Sequence, residues 1–329
     1  MKYCKIKFRA FIPYLCFIIG GFIAWRLMPQ SADGMRNSAV IVGQTSWHEV
    51  RVDGKPCLYF SDAIGDTALL GVTANRDSAI HRHRQAGCWT NRLPLFPSCF
   101  GRIATAYAAP PSPPRVKGDS SIVRLCRQSI ATQLKTLKTQ KTELDYYLRV
   151  HGVQDNGYQS IAALATRVAQ AYSDVSRAAR MLDSLANGRR HRFTINSVTQ
   201  YSATFRDSKR HIAHAALKPI FADSHKRFML LQTCDESTPD GASPVSPTLW
   251  GSRKECSILA VAHPGLGEPG LECDTVSPAI IPGHKFKDSR HDLPRVLAAD
   301  GSPVFTERGM FIGITSGNTI VEKLKEEKK

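Results

Sequence analysis

Hydrophobic residues in the middle of this 329-residue chain follow a helical spacing that neither flanking region shares. From residue 130 to 148 they recur at alternating three- and four-residue steps, with Lys141 as the one polar residue at such a position. The same spacing resumes from residue 161 to 182, after a polar segment that contains Gly152 and Gly157. This periodicity is typical of amphipathic helices. We therefore predict an antiparallel αα-hairpin over residues 120–188, ending at Asn187-Gly188.

The regions on either side of the helical segment have β character. Residues 49–52 and 55–60 flank Asp53-Gly54, which predicts a β-hairpin with a two-residue turn. A proline-rich connector over residues 108–119 separates this region from the helices, because proline disfavours both sheet and helix interiors. Further strands are predicted over residues 39–42, 68–73, 193–198, 228–232, 257–262, 303–305 and 310–314.

We accordingly predict a mainly β protein with an α insertion. The first β half spans residues 38–110 and the second spans residues 190–318, with the hairpin between them. A charged tail is expected over residues 319–329.

The N-terminus has the layout of a secretory signal or signal anchor. Four basic residues occur within the first nine, and an uncharged apolar run follows over residues 10–25. Residues 25–29 lack the small-x-small pattern that a signal peptidase reads, which favours a retained membrane anchor over residues 1–28. The basic flank precedes the run, so the positive-inside rule places the rest of the chain outside the cytoplasm, in the periplasm or extracellular space.

The formal charge of +16 bears on partners. Export argues against nucleic acid, and leaves a solvated basic surface or attraction to an anionic envelope surface as interpretations. Seven cysteines follow the apolar run, without a CxxC or zinc-binding spacing. We predict no metal and no cofactor, and the spacing fixes no disulfide connectivity.

Several segments match a known family. Asp300-Gly301-Ser302-Pro303, followed by residues 309–314, resembles the nucleophile loop of chymotrypsin-like serine peptidases, where Gly-x-Ser-Gly-Gly-Pro leads into a hairpin ending Val-Gly-Ile. Residues 69–76 resemble the strand that ends Thr-Ala-Ala-His, and residues 227–231 resemble the Asp-Ile-Ala-Leu-Leu strand. Residues 261–265 are similar to a common strand and turn of the second barrel. The resemblance implies a trypsin-like double β-barrel with the helical hairpin as an insertion.

The departures from the family pattern bear on activity. Asp300 stands at the position of the nucleophilic serine, Arg76 at that of the histidine and Arg227 at that of the aspartate. An arginine keeps its proton at neutral pH and cannot act as a general base. The resemblance therefore implies a proteolytically degenerate homologue with a binding or scaffolding role for a protein or peptide partner. We expect Arg76 and Asp300 to form an ion pair.

Two alternatives stay open. In the first, the protein is an active serine endopeptidase with Ser302 as nucleophile, His81 or His83 as base, and Asp223 as the orienting acid. Ser302 is also explained as an ordinary turn serine before proline, and the two histidines as part of a solvated basic loop. In the second alternative, the protein is a helical-hairpin adaptor whose β segments only support the helices.

Overall fold

The structure is a computed structural model of the whole chain. It describes residues 20–21, 29–93, 97–116, 118–186, 191–246, 254–266, 277–322 and 324. The predicted anchor over residues 1–28 lies outside these ranges except for residues 20–21. Within the described ranges, no helix has both the length and the apolar content that a membrane crossing requires.

Fourteen strands and three α-helices are described. The helices are α1 (Ala32–Ser38), α2 (Asp119–Val150) and α3 (Tyr158–Ala186), and a short 3-10 helix covers Arg76–Ser78. The strands are β1 (Ala39–Val52), β2 (Lys55–Phe60), β3 (Asp62–Ile64), β4 (Ala68–Leu70), β5 (His81–Trp89), β6 (Arg102–Ala106), β7 (Phe193–Arg206), β8 (Ile212–Asp223), β9 (Phe228–Thr233), β10 (Cys256–Ala262), β11 (Ala279–Lys285), β12 (Pro303–Thr306), β13 (Phe311–Ser316) and β14 (Thr319–Val321).

The chain divides into two compact units. The first unit comprises Met1–Gln44, His83–Ala109 and Gln200–Lys329, and the second comprises Thr45–Arg82 and Pro110–Thr199. Six strands form a closed ring in the order β1-β5-β6-β9-β8-β7, with a β1–β7 pairing that completes it and β2 added at β1. A separate five-stranded sheet of the first unit has the order β11-β10-β12-β13-β14. The predicted mainly β fold with an α insertion is confirmed at this level.

Side chains of strand β9 pack in two hydrophobic clusters of the first unit. Successive side chains of a strand point to opposite faces, so alternate residues meet different neighbours. Met229 and Leu231 pack inside the barrel in a cluster with Ile103. Phe228 and Leu230 belong to the cluster that contains Phe305 of the second sheet. Because all four β9 side chains are buried, the start of this strand is held firmly in place.

The helical hairpin is part of the core of the second unit. Leu125, Ile130 and Leu182 of the helices are buried in one cluster with Leu58 and Phe60 of β2. Side chains of α2 also accept hydrogen bonds from backbone of the β region: Ser129 Oγ from Leu69 N at 2.8 Å, and Gln133 Oε1 from Val72 N at 3.0 Å. The two helices predicted from periodicity are therefore confirmed, and they are packed on β structure along part of their length.

The predicted β1–β2 hairpin is also confirmed. Val52 pairs with Lys55, and the two turn residues have positive φ angles of 52° at Asp53 and 83° at Gly54. Those backbone angles are what a type I′ turn requires, and Asp-Gly is a favoured sequence for it.

The strands are divided differently from the predicted halves of 38–110 and 190–318. Strands β7, β8 and β9 share a sheet with β5 and β6, and β6 pairs with β9 antiparallel from Arg102↔Gln232 to Ala106↔Phe228. The second sheet therefore begins only at β10. Strands β5 and β6 were not predicted from the sequence, because β5 opens with four exposed polar residues that have no apolar alternation. Residues 319–321 of the expected tail form β14, which pairs with β13, and residues 323 and 325–329 lie outside the described ranges.

Candidate functional site

The loop that resembles a nucleophile loop, residues 300–303, packs closely against barrel strand β5. Ala86 N donates to the Asp300 carbonyl at 2.9 Å, and Thr105 Oγ1 donates to the Ala86 carbonyl at 2.6 Å. Gly301 has a φ of +90°, and a Cβ at this position would lie 1.9 Å from the Ala86 oxygen. Only glycine combines this backbone angle with so close an approach. The loop geometry thus depends on Gly301.

Ser302 belongs to the same loop and is buried. Its exposed fraction is 0%, and its hydroxyl donates to the Ala299 carbonyl at 2.7 Å. Its backbone N–H donates to Thr315 Oγ1 at 3.0 Å. A hydroxyl that is enclosed and committed to a carbonyl oxygen stabilises a turn, whereas a nucleophile must reach a substrate. The burial of Ser302 weighs against its predicted role as nucleophile, which stays a prediction.

Asp300 and Arg227 approach the same glycine. The exposed Asp300 carboxylate accepts a hydrogen bond from Gly317 N at 2.7 Å. Arg227 Nη1 and Arg295 Nη2 each lie 3.8 Å from the point that a Cβ on Gly317 would occupy. Arg295 also donates through Nε to Asn318 Oδ1 at 3.1 Å. Two of the three predicted triad positions, 227 and 300, are therefore brought together at the turn between β13 and β14.

Arg227 adopts an unusual backbone conformation. Its φ is +56°, a region that non-glycine residues enter infrequently. It closes the loop between β8 and β9, in which the Asp223 carboxylate accepts hydrogen bonds from the backbone of His225 at 2.9 Å and Lys226 at 3.0 Å. These bonds, that from Lys226 foremost, lower the pKa of Asp223. In the described part of the first unit, Asp223 orders this loop and shares no hydrogen bond with Ser302.

Arg76 has a different setting from the one predicted. Its preceding strand, β4, pairs only with β3 in a two-stranded sheet and is not a barrel strand. Within the second unit, Arg76 Nη2 lies 3.5 Å from Asp77 Oδ1, and its guanidinium carbon lies 5.5 Å from the centre of the Trp47 ring. This segment therefore contains no barrel strand, and the assignment of Arg76 to the histidine position loses its structural basis. Its ion pair with Asp300 stays a prediction.

The strand next to Arg227 is β6. Residues Thr105 and Ala106 end this strand, and Tyr107 N donates to the Arg227 carbonyl at 3.0 Å. This segment is not among the sequence-predicted sites, although Thr105-Ala106 carries the first half of the Thr-Ala-Ala-His pattern. The end of β6 thus lies beside Arg227, where a base would be needed.

A buried imidazole lies near Gly317. His291 Nδ1 accepts from Leu293 N at 3.2 Å, which assigns the proton of the neutral ring to Nε2. Burial lowers the pKa of His291, while Asp292, the Gly317 carbonyl and Asp300 oppose that effect. The Gly317 carbonyl is near enough to raise the pKa of His291. Nε2 nevertheless makes no hydrogen bond of normal geometry among the described residues. His291 is therefore a neutral ring that no hydroxyl engages. His81 and His83 are exposed at the start of β5.

A second imidazole does engage a hydroxyl, in the second unit. His48 Nδ1 lies 2.6 Å from Ser197 Oγ, and the ring stacks on Phe60 at a centroid distance of 4.8 Å. Burial lowers the pKa of His48, and the Asp62 carboxylate opposes this. Asp62 itself accepts from Ala63 N at 2.7 Å. No sequence motif pointed to this pair, since its members lie 149 residues apart.

Similar proteins are found among solved structures. No family model matches the chain, and no curated protein matches it. Among solved structures, Deg5 is similar over 87% of this chain and 84% of that chain, with 12% identity and a TM-score of 0.35. The MamO protease domain from Magnetospirillum magneticum covers 37% of this chain and 68% of its own, with 12% identity and a TM-score of 0.26. An inactive mutant of Rv3671c from M. tuberculosis covers 38% and 72%, with 10% identity and a TM-score of 0.21. Scores this low do not establish a family.

Proposed function

We propose that this protein is a membrane-anchored homologue of trypsin-like peptidases in the cell envelope, which binds peptide without cleaving it. The observation that carries the proposal is which residues stand in the nucleophile loop and how their side chains are bonded. Asp300 takes the serine position, and its carboxylate is engaged by Gly317 N, while the hydroxyl of Ser302 is buried on the Ala299 carbonyl. Acyl transfer needs an accessible nucleophile beside a base, and this loop supplies neither.

A revised register supports the same conclusion. Thr105-Ala106 carries the first half of the Thr-Ala-Ala-His pattern at the end of barrel strand β6, and on this register the histidine position moves from Arg76 to Ala108. The three positions then carry Ala108, Arg227 and Asp300. An alanine cannot accept a proton and an arginine does not release one at neutral pH, so deprotonation of a hydroxyl or water has no general base there.

The location in the envelope rests on the sequence of the N-terminus. The basic residues ahead of the uncharged run over residues 10–25 favour a retained anchor with the remaining chain outside the cytoplasm. The charge of +16 would assist retention near an anionic envelope surface.

A fluorophosphonate probe tests the absence of a reactive serine. We expect the purified full-length protein to gain no covalent adduct, as measured by intact mass, under conditions in which trypsin is fully modified. An adduct mapped to Ser302 would replace this proposal with the active endopeptidase alternative.

A second candidate function is a serine hydrolase that uses Ser197 and His48. The 2.6 Å contact between their Oγ and Nδ1 atoms favours it, because a hydroxyl–imidazole pair is the core of such sites. Asp62 would have to turn from Ala63 N to orient the ring. The same probe distinguishes this candidate: an adduct at Ser197 that is lost in Ser197→Ala, and kept in Ser202→Ala on the same strand, would support it.

The helical-hairpin adaptor is the remaining alternative. The buried cluster shared by the helices and β2 supports a structural role for at least the base of the hairpin. Release of a stable helical fragment by limited proteolysis would favour the adaptor instead.

A further inference from the structure

Two guanidinium groups converge on the turn between β13 and β14. Arg227 Nη1 and Arg295 Nη2 each lie 3.8 Å from the same point, the place of a Cβ on Gly317, so they are no more than twice 3.8 Å apart. No ion pair joins either guanidinium to a carboxylate in the part of the chain that the structure describes. Like charges held close together without a partner carboxylate repel each other, and a bound anion would relieve that repulsion.

The local backbone maintains this arrangement. Arg227 keeps a φ of +56°, which costs about 1 kcal/mol or more for a residue with a side chain. The fixed start of β9 follows it directly, with Phe228 fully buried. On the other side, Arg295 is oriented by Asn318 through the 3.1 Å hydrogen bond to its Nε. Asn318 thus orients the Arg295 guanidinium, and the Arg227 backbone is fixed beside buried Phe228. A terminal nitrogen of each arginine lies 3.8 Å from the Cβ position of Gly317.

We infer that Arg227 and Arg295 bind a carboxylate group of the peptide ligand at this turn. The identity of the ligand as a peptide rests on the proposed function, whereas the carboxylate follows from the two arginines. A planar guanidinium matches a carboxylate through paired N–H donors.

The charges around the pair favour a carboxylate over a phosphate. The exposed Asp300 carboxylate lies at Gly317, and it repels a dianion more strongly than a monoanion. Asp300 is held back from the arginines in part by its hydrogen bond with Gly317 N. His291 adds no charge, because burial lowers its pKa.

A random octapeptide library, half with free C-terminal carboxylates and half amidated, tests the inference. It is passed over immobilised full-length protein, and retained peptides are counted by mass spectrometry. Among the retained peptides we expect about tenfold enrichment of either free C-terminal carboxylates or Asp and Glu side chains. Charge-assisted hydrogen bonds raise affinity by roughly that factor. The two halves of the library show which of these two sources of carboxylate binds.

Three substitutions complete the test. Arg227→Gln and Arg295→Gln should each abolish the enrichment. Arg210→Gln should retain it, since Arg210 is also an exposed arginine with positive φ, at +64°, but lies in the turn between β7 and β8. A library retained without preference for carboxylates, or not retained at all, would overturn the inference, as would equal losses in all three variants. Serine labelling by fluorophosphonate would instead overturn the proposed function and leave the carboxylate preference standing.

Discussion

Replacing Gly301 by alanine is expected to destabilise the first unit by about 3 kcal/mol or more. The new Cβ would lie 1.9 Å from the Ala86 oxygen and 2.9 Å from Thr105 Oγ1, so backbone must move. Its φ of +90° adds conformational strain for any residue with a side chain. A loss of this size is a large fraction of the 5–15 kcal/mol by which domains are typically stable. Urea unfolding of the full-length protein measures it.

The matched control for Gly301→Ala is Gly54→Ala. Gly54 has a similar φ of +83°, but a Cβ there meets nothing within 4 Å. Its replacement should therefore cost only the conformational strain, about 1 kcal/mol. Equal midpoints for the two variants would show that the loop is not pressed against β5 as described.

Replacing Leu182 by alanine is expected to destabilise the second unit by about 3 kcal/mol. Leu182 of α3 is 1% exposed and lies in the cluster formed by both helices and the β1–β2 hairpin. Its truncation removes buried apolar surface and leaves a cavity. Hydrogen exchange of the helical amides measures the loss, which should appear in α2 and α3 together.

The adjacent residue provides the control for Leu182→Ala. Met181 is 41% exposed, so Met181→Ala should change stability by well under about 1 kcal/mol. If the helical amides are equally protected from hydrogen exchange in both variants, the hairpin does not depend on the buried cluster. The adaptor alternative then gains support.

The helices and the first hairpin were predictable because their signals are local. A 3.6-residue period and an Asp-Gly turn each specify structure within a short window. Strand β5 has no such signal, because its first four residues, His81 to Arg84, are exposed and polar, and only its second half is buried. Without β5 and β6, the Thr-Ala-Ala-His pattern was matched to residues 69–76, which form no barrel strand.

The convergence at Gly317 was beyond sequence analysis for a different reason. Arg227 comes from the loop between β8 and β9, whereas Arg295 and Asp300 come from the loop between β11 and β12. Only the packing of β9 against the second sheet brings them to one turn. The resemblance identified residues 227 and 300 as related positions, but it gave no reason to consider Arg295. Loop residues of this kind carry function without any periodic pattern in the sequence.

The measurement that addresses the absence of catalysis most directly is a cleavage assay on a complex peptide mixture. Full-length protein is incubated with peptides from a digested proteome, and new termini are identified by mass spectrometry against a boiled sample. The arrangement of Ala108, Arg227 and Asp300 predicts no new termini beyond those of the boiled control. Reproducible cleavage that disappears on Ser302→Ala or Ser197→Ala would contradict it and identify the working nucleophile.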